Sequence, residues 1–506
     1  MVPSSNRAAR SCNSLRGGNG CRMVETGGKT DYDAVVVGAG PNGLTAAVVL
    51  ARAGLAVRVL EAMPVPGGGC RSAELTLPGF VHDICSAVHP MGVLSPVFRE
   101  IGLEEHGLRW VRSDLPLVHP LPNGEVAVLR RSIADTAAGL GVDGKEWRRT
   151  MAPFAREEFV HALLNPVWWP APGAMMSLAR FGWLGLRSCE GLARSRFDGP
   201  AARALFAGCA AHSVMSLERA GTASFGLVLA LAAHVVDWPC AEGGSQAITR
   251  ALIRALEKFG GEVQTEARVT SLAELPPSRA VLFDLSPHQV AAICGGALPR
   301  RYADRLRRFR HGPGIFKVDW ALDGPIPWRN AECARAMTVH VCGAFEDVLR
   351  SEWQATRGQP PEQPFVLVAQ QSLFDRTRVL AGGGHTGWAY CHVPNGFNGD
   401  MTERIETAIE RFAPGFRDRI IARHRIGPGQ LEAHNPTMIG GDMAGGANDL
   451  SQFLFRPFPK WNPYATPNPR LFLCSSSTPP GGGVHGMCGY HAAQTVLNRV
   501  FGQTGA

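Results

Sequence analysis

Residues 33–61 are DAVVVGAGPNGLTAAVVLARAGLAVRVLE. The apolar run 33–37 is typical of a buried parallel strand, and the run 56–60 predicts a second strand. Between them, residues 44–53 have the apolar spacing of a helix, and Gly54 would end it. A strand, a helix and a second strand in such close succession predict an α/β unit of the Rossmann type.

The turn between the first strand and the helix has the G-x-G-x-x-G pattern of dinucleotide-binding sites. Its residues are Gly38, Gly40, Pro41, Asn42 and Gly43. Gly38 allows a tight turn, Gly40 lets the backbone approach a diphosphate, and Gly43 allows the helix to pack closely on the strand. The N–H groups and the positive dipole end of the helix would then face the phosphates.

Glu61 follows the second strand, about twenty residues after the glycine turn, as the dinucleotide pattern requires. A carboxylate at this position accepts hydrogen bonds from ribose hydroxyls and repels a 2′-phosphate, which disfavours NADP. The glycine pattern alone does not separate FAD from NAD.

A second glycine cluster follows Glu61 by six residues and includes Gly67 and Gly68, with Arg71 just beyond. Such a cluster resembles the pattern of two-dinucleotide-binding-domain flavoproteins and is unusual in NAD dehydrogenases, which favours FAD. Its glycines would let the chain pass close to the phosphates and the ribityl chain of a flavin. Arg71 would add positive charge near the phosphates. The alternative is an ordinary glycine loop.

The C-terminal segment 471–491 predicts a strand, a third glycine turn and a helix that return to the cofactor. N–H groups at the start of that helix would stabilise negative charge on a reduced flavin ring. The cofactor-contacting candidates here are Ser477, Thr478, Gly482, Gly483, Val484 and Gly486. His485 is the candidate catalytic residue, because an imidazole beside the ring would tune its potential or move a proton. The alternative is that His485 only caps the turn.

These segments resemble the phytoene desaturase-like branch of the FAD-dependent amine oxidase-type flavoproteins, from about residue 31 to the C-terminus. Further marks of the resemblance are the stretches 242–245, 260–261 and 435–450. The resemblance implies FAD as cofactor and a main-chain bond from Val269 to adenine. It also implies that residues 481–489 lie along the isoalloxazine ring.

The sequence departs from that family pattern at three places. Gly69 stands where many members have arginine, Ser475 replaces a usual glycine, and Asp284 begins an Asp-Leu-Ser stretch in place of Asn-Ala. A redox disulfide is not expected, since Cys70 and Cys85 are too far apart in sequence for a disulfide-reductase pair and are predicted to be buried thiols.

The predicted fold class is α/β, with a Rossmann-type FAD-binding domain interleaved with an α+β substrate domain, as in two-domain amine oxidase-like flavoproteins. The FAD-binding domain is predicted to take residues 31–110, 241–300 and 431–506. The substrate domain would take a mainly helical segment, 111–240, and a segment with a β-sheet, 301–430. Residues 1–30 are predicted to be a disordered leader.

The composition excludes several classes of protein. An apolar fraction of 45% and a charged fraction of 19% describe a globular chain. Half of the net charge of +8 lies in the first thirty residues, and no basic stripe interleaved with aromatics follows, so nucleic acid is not an expected partner. His82, Asp83 and His89 match no ligand spacing, and no metal site is predicted.

The cellular location follows from weaker signals. Scattered cysteines indicate a cytoplasmic protein. The leader is rich in Arg and Ser and poor in acidic residues, which is the composition of a transit peptide and would direct the chain to the mitochondrial matrix. The alternatives are a disordered extension or a start at Met23. The apolar segment 167–186 is consistent with a patch that contacts a membrane surface, although ordinary core is favoured.

The sequence therefore predicts an FAD-dependent oxidoreductase that transfers a hydride from an apolar, isoprenoid- or lipid-like small molecule to flavin, with oxygen or a quinone as electron acceptor. The first alternative is a flavin-fold regulatory or scaffold protein that acts through protein partners. The second is a flavin amine oxidase, which is disfavoured because the chain has few tyrosines for an aromatic cage, Tyr 5 in total. The oligomeric state is left open, a homo-oligomer included.

Overall fold

The computed structural model describes residues 31–166, 168–169, 173–380 and 382–503. The predicted leader, 1–30, lies outside the described residues. The strands are β1 (Tyr32–Val37), β2 (Val57–Leu60), β3 (Ser72–Glu74), β4 (Val81–Asp83), β5 (Trp110–Val111), β6 (Leu115–Pro120), β7 (Val126–Leu129), β8 (Cys240–Ala241), β9 (Glu262–Gln264), β10 (Ser278–Phe283), β11 (Gly314–Leu322), β12 (Ala336–Val341), β13 (Val366–Ala369), β14 (His385–Val393), β15 (Ile420–Ile426) and β16 (Leu471–Leu473).

The helices are α1 (Pro41–Arg52), α2 (Pro90–Val93), α3 (Pro96–Ile101), α4 (Ile133–Gly139), α5 (Gly144–Met151), α6 (Glu157–Leu163), α7 (Met175–Gly185), α8 (Cys189–Arg196), α9 (Pro200–Ala211), α10 (Thr222–Val235), α11 (Gln246–Lys258), α12 (Pro287–Cys294), α13 (Arg300–Arg307), α14 (Phe345–Thr356), α15 (Thr402–Glu410), α16 (Pro428–His434), α17 (Leu450–Phe453) and α18 (Met487–Val496). Among these helices of the described residues, none is long and apolar enough to cross a bilayer.

The first sheet has five parallel strands in the order β16-β10-β1-β2-β9. Both of its faces are covered, which explains the unbroken apolar run in β1. Ala34 and Val36 pack with α1, α11 and α18 on one face, whereas Val35 and Val37 pack with α12 and α13 on the other. The predicted α/β Rossmann-type unit is confirmed, and it is assembled from the beginning, middle and end of the chain.

The second sheet has seven strands in the order β15-β11-β14-β13-β12-β6-β7. All neighbours are antiparallel except the pair β12 and β6. One face packs against a helical layer that includes α9 and α10, and the other against α15. The structure is therefore a two-domain, mixed α/β architecture, as the predicted fold class states.

The prediction of a mainly helical segment over 111–240 is wrong at its start, because β6 and β7 lie there and complete the second sheet. The sequence of β6 is LPLVHP, and its two prolines disfavour a strand in any analysis of sequence alone. The rest of the segment, from α4 to α10, is helical as predicted.

A buried ion pair joins the two units. Arg378, which precedes β14, donates from Nη1 to Asp83 of β4 at 2.8 Å and from Nη2 to the main-chain oxygen of Ala241 at 3.0 Å. Burial alone would raise the pKa of Asp83, but Arg378 and the amide of Ser245 hold that pKa below its usual value. The charge of Asp83 is thus retained in the interior and fixes the second sheet against the first unit.

Candidate functional site

A cavity of about 360 Å³ opens at the carboxyl ends of the parallel strands, where Val37, Leu60 and Asp284 line it. This edge of an open parallel sheet is the usual ligand site of such folds, and the volume lies in the range of small-molecule sites. Residues from the far end of the chain, 482–484, line the same cavity. The cavity therefore joins the first glycine turn to the C-terminal glycine turn.

Most of the residues predicted to contact the cofactor are brought together around this cavity. Those that line it are Gly38, Gly40, Pro41, Asn42, Glu61, Gly68, Arg71, Val269, Gly482, Gly483 and Val484. In the described part of the chain, the ones that lie behind the lining are Gly43, Gly67, Ser477, Thr478 and Gly486. The site residues remain predictions as ligands, but the fold places them as one group.

The glycine turn passes into α1 with Gly40 as the N-cap residue and Pro41 as the first helical residue. One first-turn donor, the N–H of Gly43, is already accepted by the side chain of Asp284 at 2.9 Å. Pro41 has no N–H to satisfy, so the available donors are concentrated at the neighbouring residues. The side-chain Oδ1 of Asn42 is buried without a hydrogen-bond partner among the described residues. A ligand hydroxyl in the cavity would satisfy it.

Glu61 connects three parts of the site. Its Oε2 accepts the N–H of Ala39 at 2.8 Å, and its Oε1 accepts the N–H of Met63 at 2.9 Å. The main-chain oxygen of Glu61 accepts the N–H of Ala267, which holds the segment containing Val269 at the cavity wall. The carboxylate has further lone pairs that would accept ribose hydroxyls, and this role of Glu61 stays a prediction.

Arg71 lines the cavity, but its guanidinium is largely engaged by main-chain oxygens. Nε donates to Gly68 at 3.1 Å, Nη1 donates to Val65 at 3.4 Å, and Nη2 donates to His434. Burial lowers the pKa of Arg71, with Glu61 acting in the opposite direction. Its main contribution is therefore to hold the 65–71 loop in place, with positive charge at the cavity wall.

Asp284, which directly follows β10, lines the cavity but is not among the residues predicted from sequence to contact the cofactor. Its Oδ2 accepts the N–H of Gly43 at 2.9 Å, and a Cβ at Gly40 would lie only 2.5 Å from the same oxygen. Burial and then the charge of Glu61 raise the pKa of Asp284 to about 7, against the amides of Gly43 and Gly40, which lower it. An ionisable carboxyl thus lies on the predicted diphosphate turn.

Side-chain hydrogen bonds behind the cavity lining stabilise the C-terminal turn. Ser477 Oγ donates to the main-chain oxygen of Gly445 at 3.0 Å, and Thr478 Oγ1 donates to that of Ser475 at 2.7 Å. Gly486 begins α18 with a φ of 69°, and a Cβ there would lie 2.4 Å from Thr45 Oγ1. These residues shape the turn, and the neighbouring Ser476 lines the cavity instead.

His485 lies behind the cavity lining, next to Gly483, and its catalytic role stays a prediction. It is buried, and it is outside the cavity lining in the described residues. Its Nδ1 accepts the N–H of Met487 at 3.1 Å, and its main-chain oxygen accepts from Ser95 Oγ at 2.6 Å. Burial lowers the pKa of His485 to about 4. These contacts favour the alternative, in which a neutral histidine caps the turn.

Other titratable groups near the site are buried. Burial raises the pKa of Cys70 to about 12 and that of Cys85 to about 11, so both are inert thiols as predicted. Lys317 of β11 is fully buried beside Asp319, and its ammonium lies 5.6 Å from the ring centre of Trp388. In the described residues no group of three or more His, Cys, Asp or Glu side chains could hold a metal ion.

Comparisons with known proteins agree with this geometry. The model of the NAD(P)-binding Rossmann-like domain family matches residues 36–101. Pyridine nucleotide-disulfide oxidoreductase domain-containing protein 2 of Rattus norvegicus is 25% identical over an alignment that covers 95% of this chain and 95% of that protein. A limonene dehydrogenase component of Castellaniella defragrans is 37% identical over 83 residues, which are 16% of this chain and 15% of that protein.

Among solved structures, putrescine oxidase bound to putrescine has a TM-score of 0.60 at 18% identity, with 93% of this chain and 99% of that chain covered. The chain shares the two-domain fold of the amine oxidase-type flavoproteins. It is similar to pyridine nucleotide-disulfide oxidoreductase domain-containing protein 2 along almost its whole length. The resemblance predicted from sequence is confirmed to this extent, whereas similarity to phytoene dehydrogenases stays a prediction.

Proposed function

We propose that this protein is an FAD-dependent oxidoreductase that removes a hydride from an apolar substrate. The observation that carries the proposal is the single cavity lined by the first glycine turn, Glu61, Val269 and residues 482–484. A Rossmann unit that bound only a mononucleotide would not need the C-terminal glycine turn at the same cavity. An extended dinucleotide with a ring at one end would contact both turns.

The residues present fit FAD part by part. The N-terminus of α1 offers a positive dipole end, and the N–H groups that Asp284 does not occupy, to a diphosphate. The carboxylate of Glu61, already fixed by two amides, would accept the adenosine ribose hydroxyls. The unpartnered Oδ1 of Asn42 would accept a hydroxyl of the ribityl chain. Val269 and Ile293 would cover the adenine end.

The apolar lining at the other end favours hydride transfer over acid–base chemistry. Met438, Met443 and Val484 line this part of the cavity, and His485, whose pKa burial lowers to about 4, lies behind the lining. The carboxylate of Asp442, which also lines the cavity, accepts the N–H groups of Gly312 and Ala444. The bound flavin would supply the two-electron chemistry, while the chain orients the substrate and excludes water. We propose oxygen or a quinone as the acceptor that reoxidises the cofactor.

The class of substrate is supported by the lining and by one relative. The limonene dehydrogenase component bears the name of a terpene hydrocarbon as substrate, and its likeness is confined to a short part of this chain. An isoprenoid or acyl chain would match the methionine and valine side chains of the cavity. The carboxylates that would bind an ammonium group, those of Glu61, Asp284 and Asp442, already accept main-chain N–H groups.

Anaerobic reduction of the FAD-loaded protein distinguishes the candidate functions. The absorbance near the flavin maximum would be followed after addition of monoterpenes, acyl-CoA esters, primary amines or NADH. We expect bleaching with an apolar donor and none with amines. If amines alone bleached the flavin, the protein would be an amine oxidase and the proposal would be wrong. If FAD bound but no donor reduced it, the result would favour a scaffold protein.

A further inference from the structure

Helix α7 presents large apolar side chains to solvent on one side. The buried side packs Phe181 and Leu184 into the helical layer of the second domain. On the outer side, Met175 is 70% exposed, Met176 is 86% exposed and Trp183 is 79% exposed. An exposed apolar group of this size on one helix marks an interaction surface. The prediction of ordinary core is therefore wrong for these outer residues.

Arginines surround this apolar face. Arg180 of α7, Arg148 and Arg149 of α5, and Arg196 of α8 line an open groove of about 830 Å³ together with Trp183. The acidic side chain that contacts them is Glu146, which pairs with Arg149 at 3.5 Å and with Arg196. Residues 173–187 contain no Asp or Glu at all. The surface thus combines projecting Trp and Met side chains with a positive rim that is only partly compensated.

The same part of the chain is close to the C-terminal helix. Trp168, between α6 and α7, stacks on Phe455 with ring centres 5.9 Å apart and donates from Nε1 to the main-chain oxygen of Trp461, whose own side chain is 73% exposed. The next residue, Trp169, lies 6.0 Å from the ring of His491 in α18. Trp168 and Trp169 therefore connect the chain before α7 to the 455–461 segment and to α18.

We propose that α7 and the arginine groove dock on the surface of an anionic phospholipid bilayer. An amphipathic helix lying in the interface buries Trp, Met and Leu among the acyl chains and places basic side chains at the headgroups. Here Trp183, Met175, Met176 and Leu186 would enter the bilayer, while Arg148 and Arg180 would meet lipid phosphates. A second copy fits less well, because a two-fold interface would place the arginine rim against itself.

Vesicle flotation of the full-length protein tests this proposal. We expect the protein to float with phosphatidylcholine vesicles that contain phosphatidylglycerol, and at least fivefold less with phosphatidylcholine alone or in 1 M NaCl. The double variant Met176→Ser/Trp183→Ser should lose at least four fifths of the flotation. Arg148→Gln/Arg180→Gln should lose the preference for anionic lipid. The matched control, Trp353→Ser/Leu380→Ser, removes exposed apolar side chains elsewhere and should float like the wild type.

A second measurement uses the wild-type protein and therefore does not depend on the folding of a variant. Phosphatidylglycerol vesicles with bromine on the acyl chains should quench the tryptophan fluorescence of the wild-type protein, since Trp183 enters the acyl region. Equal flotation of all variants, absence of flotation with anionic vesicles, or absence of quenching would overturn the proposal. A dimer in sedimentation velocity that Met176→Ser/Trp183→Ser dissociates would assign the surface to a second copy instead.

Discussion

Gly489 of α18 lies directly against the main-chain oxygen of Asn42 in α1: a Cβ at residue 489 would be 1.9 Å from that oxygen. This contact brings α18, which follows the C-terminal turn, to the first turn of α1, which begins at Pro41. Because the two helix starts touch, the two glycine turns share one cavity. The interpretation of the whole site depends on this close approach.

Gly489→Ala should separate the two helices. The added methyl group meets main-chain atoms that have no room to move, so we expect the free energy of unfolding to fall by about 1–3 kcal/mol. Urea denaturation followed by circular dichroism measures the change. Gly182→Ala is the matched control, since a Cβ there meets nothing within 4 Å. Equal stability of both variants would show that α1 and α18 are not in such close contact.

Asn42→Ala separates cofactor binding from folding. In the free protein the Oδ1 of Asn42 is buried without a partner among the described residues, so its removal should leave the free energy of unfolding unchanged or raise it slightly. If Asn42 bonds the cofactor, FAD affinity should fall about tenfold. Fluorescence titration with FAD and denaturation of the free protein give the two values. Loss of stability with unchanged affinity would contradict the assignment.

Asp284→Asn should remove a pH dependence. Since the folded-state pKa is raised to about 7, the folded protein binds this proton more tightly than the unfolded chain. The contribution of Asp284 to the free energy of unfolding therefore falls as the pH rises from about 4 to about 7, and it stays low above that. The variant, which can still accept the N–H of Gly43, should be more stable than the wild type at pH 8, by about 1–3 kcal/mol, and nearly equal at pH 4.

The same substitution should change cofactor affinity. At pH 8 the carboxylate of Asp284 would repel a diphosphate on the adjacent turn, so Asp284→Asn should bind FAD about tenfold more tightly there, with little gain at pH 5. The other titratable group that raises the pKa of Asp284 is Glu61, while the charge of Asp284 in turn raises the pKa values of the buried thiols of Cys474 and Cys488. If the ratio of the FAD affinities of the variant and the wild type stayed constant from pH 5 to pH 8, Asp284 would not lie at the diphosphate site.

His485→Asn tests whether this histidine takes part in the reaction. An asparagine oxygen can accept the N–H of Met487 as Nδ1 does, so stability should fall by no more than about 1 kcal/mol. Because the pKa of His485 is lowered to about 4, the imidazole is neutral above pH 6. We therefore expect the pH profile of flavin reduction between pH 6 and 9 to stay unchanged. A rate loss of tenfold or more with a shifted profile would restore the catalytic role.

Local sequence predicts the parts of this structure that depend on local physics. The run DAVVV, the turn from Gly38 to Gly43 and the following helix form a unit because each residue suits its own position. The helix begins at Pro41, earlier than the predicted start at residue 44, since proline is favourable in the first turn. The strand, glycine turn and helix of 471–491 are likewise predicted from their pattern, whereas the close contact of α18 with α1 depends on residues distant in sequence.

Contacts between distant segments explain what local patterns miss. Strand β6 contains two prolines and is stable because β12 and β7 pair with it on both sides. The ion pair between Arg378 and Asp83 joins residues 295 positions apart in sequence. The hydrogen bond from Gly43 to Asp284 joins residues 241 positions apart. Trp183 is indistinguishable from core in sequence, because apolar residues occupy most positions of α7.

The stoichiometry of FAD in the purified full-length protein tests the central claim most directly. Absorbance of the flavin released by denaturation, after incubation with excess FAD and removal of the unbound cofactor, should give about one FAD per chain. Gly40→Val, whose side chain would collide with Asp284, should give less than a tenth of that value. A colourless wild-type protein that takes up no FAD would contradict the account of a cavity built by both glycine turns for a flavin dinucleotide.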